Sequence, residues 1–280
     1  MYLDKSSEDQ QQKSRKPVIV PQLAEMKRCG ERITMLTAYD ASLAHHMEAA
    51  GVDLILVGDS LGMVIQGHQS TLPVTEDDIL YHCKSVARSL SSILLIADMP
   101  FRSSLGVDDA VRAAARFLSE GSAAMVKIEG ASPLTLEIIR ALTSRSIPVC
   151  AHLGLTPQAV HALGGYRVQG KSADMAEQIS RMAQEVEEAG ASLLVLECVP
   201  DKLAERITKE RGIPTIGIGA GVKCDGQVLV IYDILGITPG KRPKFVKNFL
   251  NGRDSVRAAI DAYVKEVREG VFPGDEHTFH

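Results

Sequence analysis

Short apolar runs alternate along this chain with longer stretches in which apolar residues recur every three or four positions. Runs this short and this rich in Ile, Leu and Val are typical of strands buried on both faces of a parallel sheet. The longer stretches are typical of amphipathic helices that cover such a sheet. The runs predict strands at residues 33–39, 54–57, 93–97, 125–128, 148–151, 193–196, 215–218 and 228–231.

The stretches between the runs predict helices that are followed by glycine or a polar turn. They cover residues 41–50, 77–90, 107–120, 133–144 and 173–189. Strands that alternate with helices over about 250 residues are typical of a (β/α)8 barrel. A doubly wound open sheet is the alternative, but it would gather polar strand-end residues at one switch point. Here such residues follow at least six predicted strands, which favours the barrel.

The two ends of the chain complete the predicted organisation. Residues 1–18 are polar and are expected to be a disordered N-terminal extension, and residues 19–280 a single α/β catalytic domain, a (β/α)8 TIM barrel. Apolar residues within 244–268 recur at helical spacing and predict extra C-terminal helices, arranged as a pair. The last segment, 271–280, contains aromatic residues and is expected to dock on the barrel or on a neighbouring subunit.

Composition excludes several classes of function. The formal net charge is -4 and the pI is about 6.1, which argues against a dedicated nucleic-acid binder. No apolar stretch approaches the roughly 20 residues of a membrane span, and the first residues lack the apolar region of a signal peptide. Five cysteines are scattered without a C-x-x-C pair, which suits reduced thiols. We therefore predict a cytoplasmic protein that binds neither nucleic acid nor membrane.

Four of the predicted strands close with a carboxylate. The acids are Asp59, Asp98, Glu129 and Glu197. Because the active site of a (β/α)8 barrel lies at the C-terminal ends of its strands, these side chains are expected around one mouth. A folded domain tolerates buried acidic oxygens where a cation neutralises them. The pattern therefore predicts a charged site that holds a cation.

The acids suit Mg²⁺, which prefers oxygen ligands, keeps several waters and commonly takes only one or two protein carboxylates. Asp59 and Asp98 are the predicted ligands, with Glu129 as a third or a water-mediated one. Lys127 lies two residues before Glu129, so both side chains are expected on the same face of their strand. The alternative is that these acids cap the helices that follow, because Asp is a favoured N-cap residue.

Two other strand-end residues are candidates for binding a substrate or for accepting a proton from it. His152 follows a predicted strand and is expected to contact substrate, although a hydrogen-bonded structural histidine is the alternative. Glu197 follows four consecutive apolar residues and is expected to be partly desolvated, which suits a general base. The alternative for Glu197 is an ion pair with a lysine or arginine of the barrel.

Two loops after predicted strands carry weaker signals. Residues 58–75 form a long, glycine-punctuated segment that ends in a helix-cap pattern, and long loops at a barrel mouth often act as lids. Residues 217–221 read Gly-Ile-Gly-Ala-Gly. Such a loop either approaches a phosphate or allows close packing of backbone.

Seven segments of the chain also form a recognisable set. They are VGDSLG (57–62), QGHQSTLPVT (66–75), AD (97–98), VKIEG (126–130), HLGLTP (152–157), LECVP (196–200) and IGIGAG (216–221). In this order they resemble ketopantoate hydroxymethyltransferases, and the resemblance runs from about residue 18 to the C-terminus.

The resemblance implies transfer of a one-carbon unit from 5,10-methylenetetrahydrofolate, the co-substrate, to 3-methyl-2-oxobutanoate, which gives 2-dehydropantoate for pantothenate synthesis. It also implies one Mg²⁺ per subunit and a homo-oligomer, a decamer. Carried over by position, the metal ligands are Asp59 and Asp98 with Glu129 nearby, the oxoacid is held at Asp59, Ser60, Asp98, Lys127 and His152, and the proton acceptor is Glu197.

Together these features predict a Mg²⁺-stabilised enolate, formed when Glu197 removes the C3 proton of the oxoacid. The enolate would then attack the methylene carbon that the folate delivers. A Mg²⁺-dependent carbon–carbon lyase of the isocitrate lyase or phosphoenolpyruvate mutase type is the alternative, and it needs no folate. A catalytically silent scaffold is a further alternative, against which the intact set of costly buried charges argues.

Overall fold

The computed structural model describes residues 15–240 and 242–280. The strands are Ile33–Thr37 (β1), Leu54–Val57 (β2), Leu94–Asp98 (β3), Met125–Glu129 (β4), Val149–Gly154 (β5), Leu193–Glu197 (β6), Thr215–Ile218 (β7) and Gly226–Leu229 (β8). They pair in parallel in chain order, and β8 returns to β1, so the barrel is closed. The predicted (β/α)8 architecture is confirmed, with β8 beginning two residues earlier than expected.

Helices surround the barrel. Within the described residues they are Val20–Arg28 (α1), Ala41–Ala50 (α2), Leu61–Val64 (α3), Glu76–Ala87 (α4), Val107–Ser119 (α5), Pro133–Thr143 (α6), Ala173–Glu188 (α7), Asp201–Glu210 (α8), Ile231–Ile234 (α9) and Val256–Arg268 (α10). The five predicted helices correspond to α2, α4, α5, α6 and α7. None of the helices in this part of the chain is both long and apolar enough to cross a membrane.

The region before α10 differs from the predicted helical pair. Within residues 244–268, all of which are described, α10 is the one helix, and the segment before it forms turns. The Asn248 side chain accepts a hydrogen bond from Leu250 N, and Gly252 has a φ of 74°, so local turns replace a helix there. Phe249 is nevertheless fully buried. α10 packs on α2 and β1, and so completes the outer ring of helices.

α1 was not among the predicted helices, and it closes the N-terminal end of the barrel. Its Leu23 and Met26 are buried in one cluster with inward-facing strand residues such as Met35 and Leu54. Because successive strand residues point to opposite faces, the next residue, Leu36, belongs instead to the cluster between barrel and helices. The N-terminal half of the barrel interior is thus packed with apolar side chains.

Both ends of the described chain contact the barrel. Residues 1–14 of the predicted extension lie outside the described residues. Residues 15–18 lie against the barrel, where Val18 N donates a hydrogen bond to Ser92 O at 2.8 Å, and the domain boundary after residue 18 stays a prediction. The C-terminal tail docks as predicted, because Asp201 N donates to Phe279 O at 2.8 Å.

Candidate active site

The C-terminal ends of β2 to β6 bring the predicted site residues together. Strand pairing sets Asp98 of β3 beside Lys127 of β4, and Glu129 of β4 beside His152 of β5. Lys127 and Glu129 share a face of β4 because residues two apart on a strand point the same way. Glu197 is the last residue of the next strand, β6. The stagger of neighbouring strands therefore lines up charged side chains along one side of the mouth.

These five residues form a continuous series of contacts, here called the acid–base arc. Lys127 Nζ donates a hydrogen bond to Asp98 Oδ1 at 2.6 Å and lies 3.8 Å from Glu129 Oε1. His152 Nδ1 is 3.5 Å from Glu129 Oε1, and His152 Nε2 is 3.2 Å from Glu197 Oε2. The Glu197 side chain is 14% exposed, against 5% or less for the others. Glu197 is therefore the member of the arc most accessible to a bound molecule.

Asp59 joins the arc through its backbone and through a glutamine that sequence reasoning missed. Asp59 N donates a hydrogen bond to Asp98 Oδ2 at 3.0 Å. Gln158 Nε2 donates to Asp59 Oδ2 at 2.8 Å, and Gln158 N donates to Glu129 Oε2 at 3.0 Å. Gln158 lies in a short 3-10 turn after β5. The sequence signal was only its place directly after the Thr-Pro helix-start pattern, because loop residues show no periodicity.

Negative charge is in excess at this site, since four carboxylates face the two cationic groups Lys127 and His152. Burial, followed by the charges of Asp98 and Glu129, raises the pKa of Asp59 well above its usual value. Burial opposes protonation of His152, but its contacts with Glu129 and Glu197 outweigh this and raise its pKa to about 9. Burial likewise opposes the charge of Lys127, and the surrounding carboxylates still hold its pKa above the usual value.

The donor set fits a divalent cation of the magnesium type. Glu129 Oε1 is buried and has no hydrogen-bond partner among the described residues. Asp59 and Asp98 supply two buried carboxylates, and Asp59 N donates a hydrogen bond to the carboxylate of Asp98. No preformed group of three or more His, Cys, Asp or Glu ligands occurs in the described residues, but Mg²⁺ commonly uses one or two carboxylates and completes its shell with water and substrate. The predicted ligands are therefore suitable.

Ser60 lies apart from the acid–base arc. Its Oγ is 2.8 Å from the hydroxyl of Tyr39, a buried residue that sequence reasoning did not single out. The predicted contact between Ser60 and substrate stays a prediction. The helix-cap alternative for strand-end acids applies to Asp40, which accepts from Leu43 N at the start of α2. The hydrogen bonds that Asp59, Asp98 and Glu129 accept come instead from Gln158, from Asp59 N and from Lys127.

The two loops behave differently from one another. Thr75 and Asp78 form the predicted capping box at the start of α4, while a lid function for residues 58–75 stays a prediction. In the glycine loop after β7, a Cβ on Gly219 would lie 2.9 Å from Phe245 and 3.1 Å from Phe279. Close packing against the C-terminal tail therefore explains this loop better than phosphate binding does.

Comparison with known proteins agrees with the geometry. The family model described as ketopantoate hydroxymethyltransferase matches residues 17–275. The chain belongs to the ketopantoate hydroxymethyltransferase family. One curated family member, 3-methyl-2-oxobutanoate hydroxymethyltransferase from Paraburkholderia phymatum (strain DSM 17167 / CIP 108236 / LMG 21445 / STM815), is 53% identical over 269 residues, which cover 96% of this chain and 98% of the relative. The resemblance inferred from the seven segments is thus confirmed.

Solved structures of other enzymes share the fold of this ketopantoate hydroxymethyltransferase family member. A phosphonopyruvate hydrolase in complex with oxalate and Mg²⁺ aligns with a TM-score of 0.57 at 17% identity and covers 92% of each chain. A 2,3-dimethylmalate lyase, a member of the phosphoenolpyruvate mutase/isocitrate lyase superfamily, aligns with a TM-score of 0.56 at 17% identity and covers 75% of this chain and 80% of its own. At this identity the likeness concerns the fold alone.

Proposed function

We propose that this chain transfers a hydroxymethyl group from 5,10-methylenetetrahydrofolate to 3-methyl-2-oxobutanoate and so produces 2-dehydropantoate. Two findings support the proposal. The family relative that carries this oxoacid in its name is 53% identical to the chain. The observation that carries the chemistry is the acid–base arc. Its last member, Glu197, is partly exposed and contacts the buried His152.

In this proposal Glu197 accepts the C3 proton of the oxoacid. Its Oε2 lies 3.2 Å from His152 Nε2, so the charged imidazole attracts the carboxylate, and the Glu197 side chain keeps 14% exposure for contact with a substrate. Lys127, His152 and Ser60 would hold the oxoacid, because two buried cations and a hydroxyl donor match its anionic carboxylate. The carbanion that results forms a carbon–carbon bond with the one-carbon unit of the folate. Water supplies the hydroxyl group, both carbon–nitrogen bonds of the methylene bridge break, and tetrahydrofolate leaves with the C3 proton and the remaining proton of water on its two nitrogens.

We further propose that Asp59 and Asp98 hold Mg²⁺, with Glu129 as a third or a water-mediated ligand. Support comes from the surplus of carboxylates and from the fold neighbour whose structure contains oxalate and Mg²⁺. When bound, the metal would polarise the keto group of the oxoacid and favour loss of the C3 proton. Lys127 keeps its hydrogen bond to Asp98 and offsets part of the remaining negative charge.

The test is an assay with Mg²⁺, 3-methyl-2-oxobutanoate and 5,10-methylenetetrahydrofolate, in which 2-dehydropantoate is expected. Absence of product, together with cleavage of an oxoacid substrate without folate, would instead support the lyase alternative. That alternative is not favoured, because the fold neighbours of lyase type share only 17% identity with this chain.

The family resemblance also leads us to propose a homodecamer located in the cytoplasm. Sedimentation-velocity measurements of the full chain would check the assembly, with a single species of ten subunits as the result that the resemblance implies. A monomer or dimer at micromolar concentration would contradict it.

A further inference from the structure

Gln158 touches both ends of the proposed metal site. Its side-chain amide donates to Asp59 Oδ2 at 2.8 Å, and its backbone N–H donates to Glu129 Oε2 at 3.0 Å. Asp59 follows β2 and Glu129 ends β4, so one loop residue connects strand ends that are not neighbours in the barrel. The amide nitrogen also donates to Met99 O at 3.0 Å, which ties it to the strand between them, β3.

The contacts of Gln158 divide the oxygens of each acid into two sets. Oδ2 of Asp59 and Oε2 of Glu129 accept hydrogen bonds from Gln158. Oε1 of Glu129 has no hydrogen-bond partner among the described residues. For Asp59, Gln158 is the one hydrogen-bond donor that the described part of the chain supplies to the carboxylate. One oxygen of each acid thus accepts a hydrogen bond from Gln158. The other oxygen accepts none from the described residues, although Lys127 Nζ and His152 Nδ1 lie 3.8 and 3.5 Å from Glu129 Oε1.

We propose that Gln158 is a positioning residue that orients Asp59 and Glu129 so that their second oxygens face a common divalent cation. The inference rests on the proposed function, since it concerns the metal site named there. Carboxylates that repel one another would turn apart without such a partner, because burial leaves no water to screen them. Partners of metal ligands commonly change metal affinity about ten- to a hundred-fold when they are removed.

The key variant is Gln158→Met, which keeps the length and unbranched shape of the side chain and removes only its amide. The backbone hydrogen bond to Glu129 remains, so the change removes only the two hydrogen bonds of the amide, to Asp59 Oδ2 and to Met99 O. Gln169→Met is the matched control. Gln169 lies in the same loop, and its side-chain amide donates to Arg167 O at 3.0 Å rather than to a member of the arc.

The measurement is titration of each full-length variant with Mn²⁺ alone, followed by electron paramagnetic resonance of the free ion without substrates. We expect the Kd of Gln158→Met to rise roughly ten- to a hundred-fold and that of Gln169→Met to change less than about twofold. Equal Mn²⁺ affinity in Gln158→Met and the unchanged chain would overturn the inference. A Gln158→Asn variant, which keeps a shorter amide, is expected to bind with intermediate affinity.

Circular dichroism and thermal unfolding of the same samples distinguish a loss of metal affinity from a loss of folding. If both Gln158 variants fail to fold while Gln169→Met folds, the residue is structural and the inference fails. If the unchanged chain forms no 2-dehydropantoate, but Gln158→Met still weakens Mn²⁺ binding, the proposed reaction fails and the positioning role stands. If product forms, but Asp59→Asn leaves Mn²⁺ binding unchanged, the positioning role fails and the reaction stands.

Discussion

The two ends of the barrel differ in how their buried carboxylates are paired. At the N-terminal end, Asp53 accepts hydrogen bonds from Thr34 N at 2.8 Å and Thr34 Oγ1 at 2.6 Å, contacts Arg15 and lies 3.5 Å from Arg268. At the C-terminal end, Asp98, Glu129 and Glu197 share Lys127 and His152, and Glu129 Oε1 has no hydrogen-bond partner among the described residues.

A second acid at the N-terminal end is paired with a cation and a backbone donor, as Asp53 is. Asp225 precedes β8 and accepts from Lys27 Nζ at 2.8 Å and from Thr215 N at 2.8 Å. Each acid there has its own cation and its own backbone donor, so the charges hold the chain together. The surplus at the other end is not matched within the described chain and is therefore available to a ligand. This division agrees with the general separation of stability and activity in (β/α)8 barrels.

The largest expected effect belongs to the C-terminal end. Glu197→Gln should lower kcat by about 10²–10⁴-fold, the usual contribution of a general base, and leave the free energy of unfolding almost unchanged. The test is the rate at which the C3 proton of the oxoacid exchanges with deuterated water, measured beside urea unfolding. Exchange at the native rate in a folded Glu197→Gln protein would show that another group is the base.

The second prediction concerns the N-terminal end. Asp53→Asn should lower the free energy of unfolding by about 1–3 kcal/mol, because an amide cannot accept from Thr34 and from Arg15 at the same time. The specific activity of the folded protein should stay unchanged, since the substitution lies at the far end of the barrel. Urea unfolding and turnover per active molecule measure the two quantities. A loss of turnover without a loss of stability would contradict the division between the ends.

The sequence predicted the C-terminal end better than the N-terminal end, for a physical reason. A carboxylate that closes an apolar run is visible in the sequence, and topology places every such residue at the same mouth. The partners of Asp53 are Arg15 and Arg268, which are distant in sequence and show no pattern that links them. Such pairing is decided by tertiary packing, and so is the position of α1 under the barrel.

The same reasoning explains what was missed within the site. Gln158 and Tyr39 join the site through hydrogen bonds of uncharged side chains, which no charge pattern in the sequence indicates. The helical pair predicted before the C-terminus failed in a related way. Its apolar spacing was real, but the side chain of Asn248 and the left-handed backbone of Gly252 form turns that bury the same residues without a helix.

The smallest predicted effect is the change in stability caused by Asp59→Asn. It tests the difference between the two ends of the barrel most sharply, because the same substitution at Asp53 is expected to change the free energy of unfolding in the opposite direction. Asp59→Asn removes one charge from the surplus, where burial and the neighbouring acids Asp98 and Glu129 already raise the pKa of Asp59. In metal-free buffer at neutral pH the variant should be as stable as the unchanged chain or about 1 kcal/mol more stable, which corresponds to roughly 2–4 °C in Tm. Calorimetry with and without Mg²⁺ measures this.

Added Mg²⁺ should raise the Tm of the unchanged chain by mass action and should have little effect on Asp59→Asn, since one of the two main ligands is gone. The order of the two proteins would then reverse between metal-free and metal-containing buffer. A metal-free Asp59→Asn protein that loses 1–3 kcal/mol, as expected for Asp53→Asn, would show that Asp59 stabilises the fold. In that case the surplus of charge at the C-terminal end would have a structural origin.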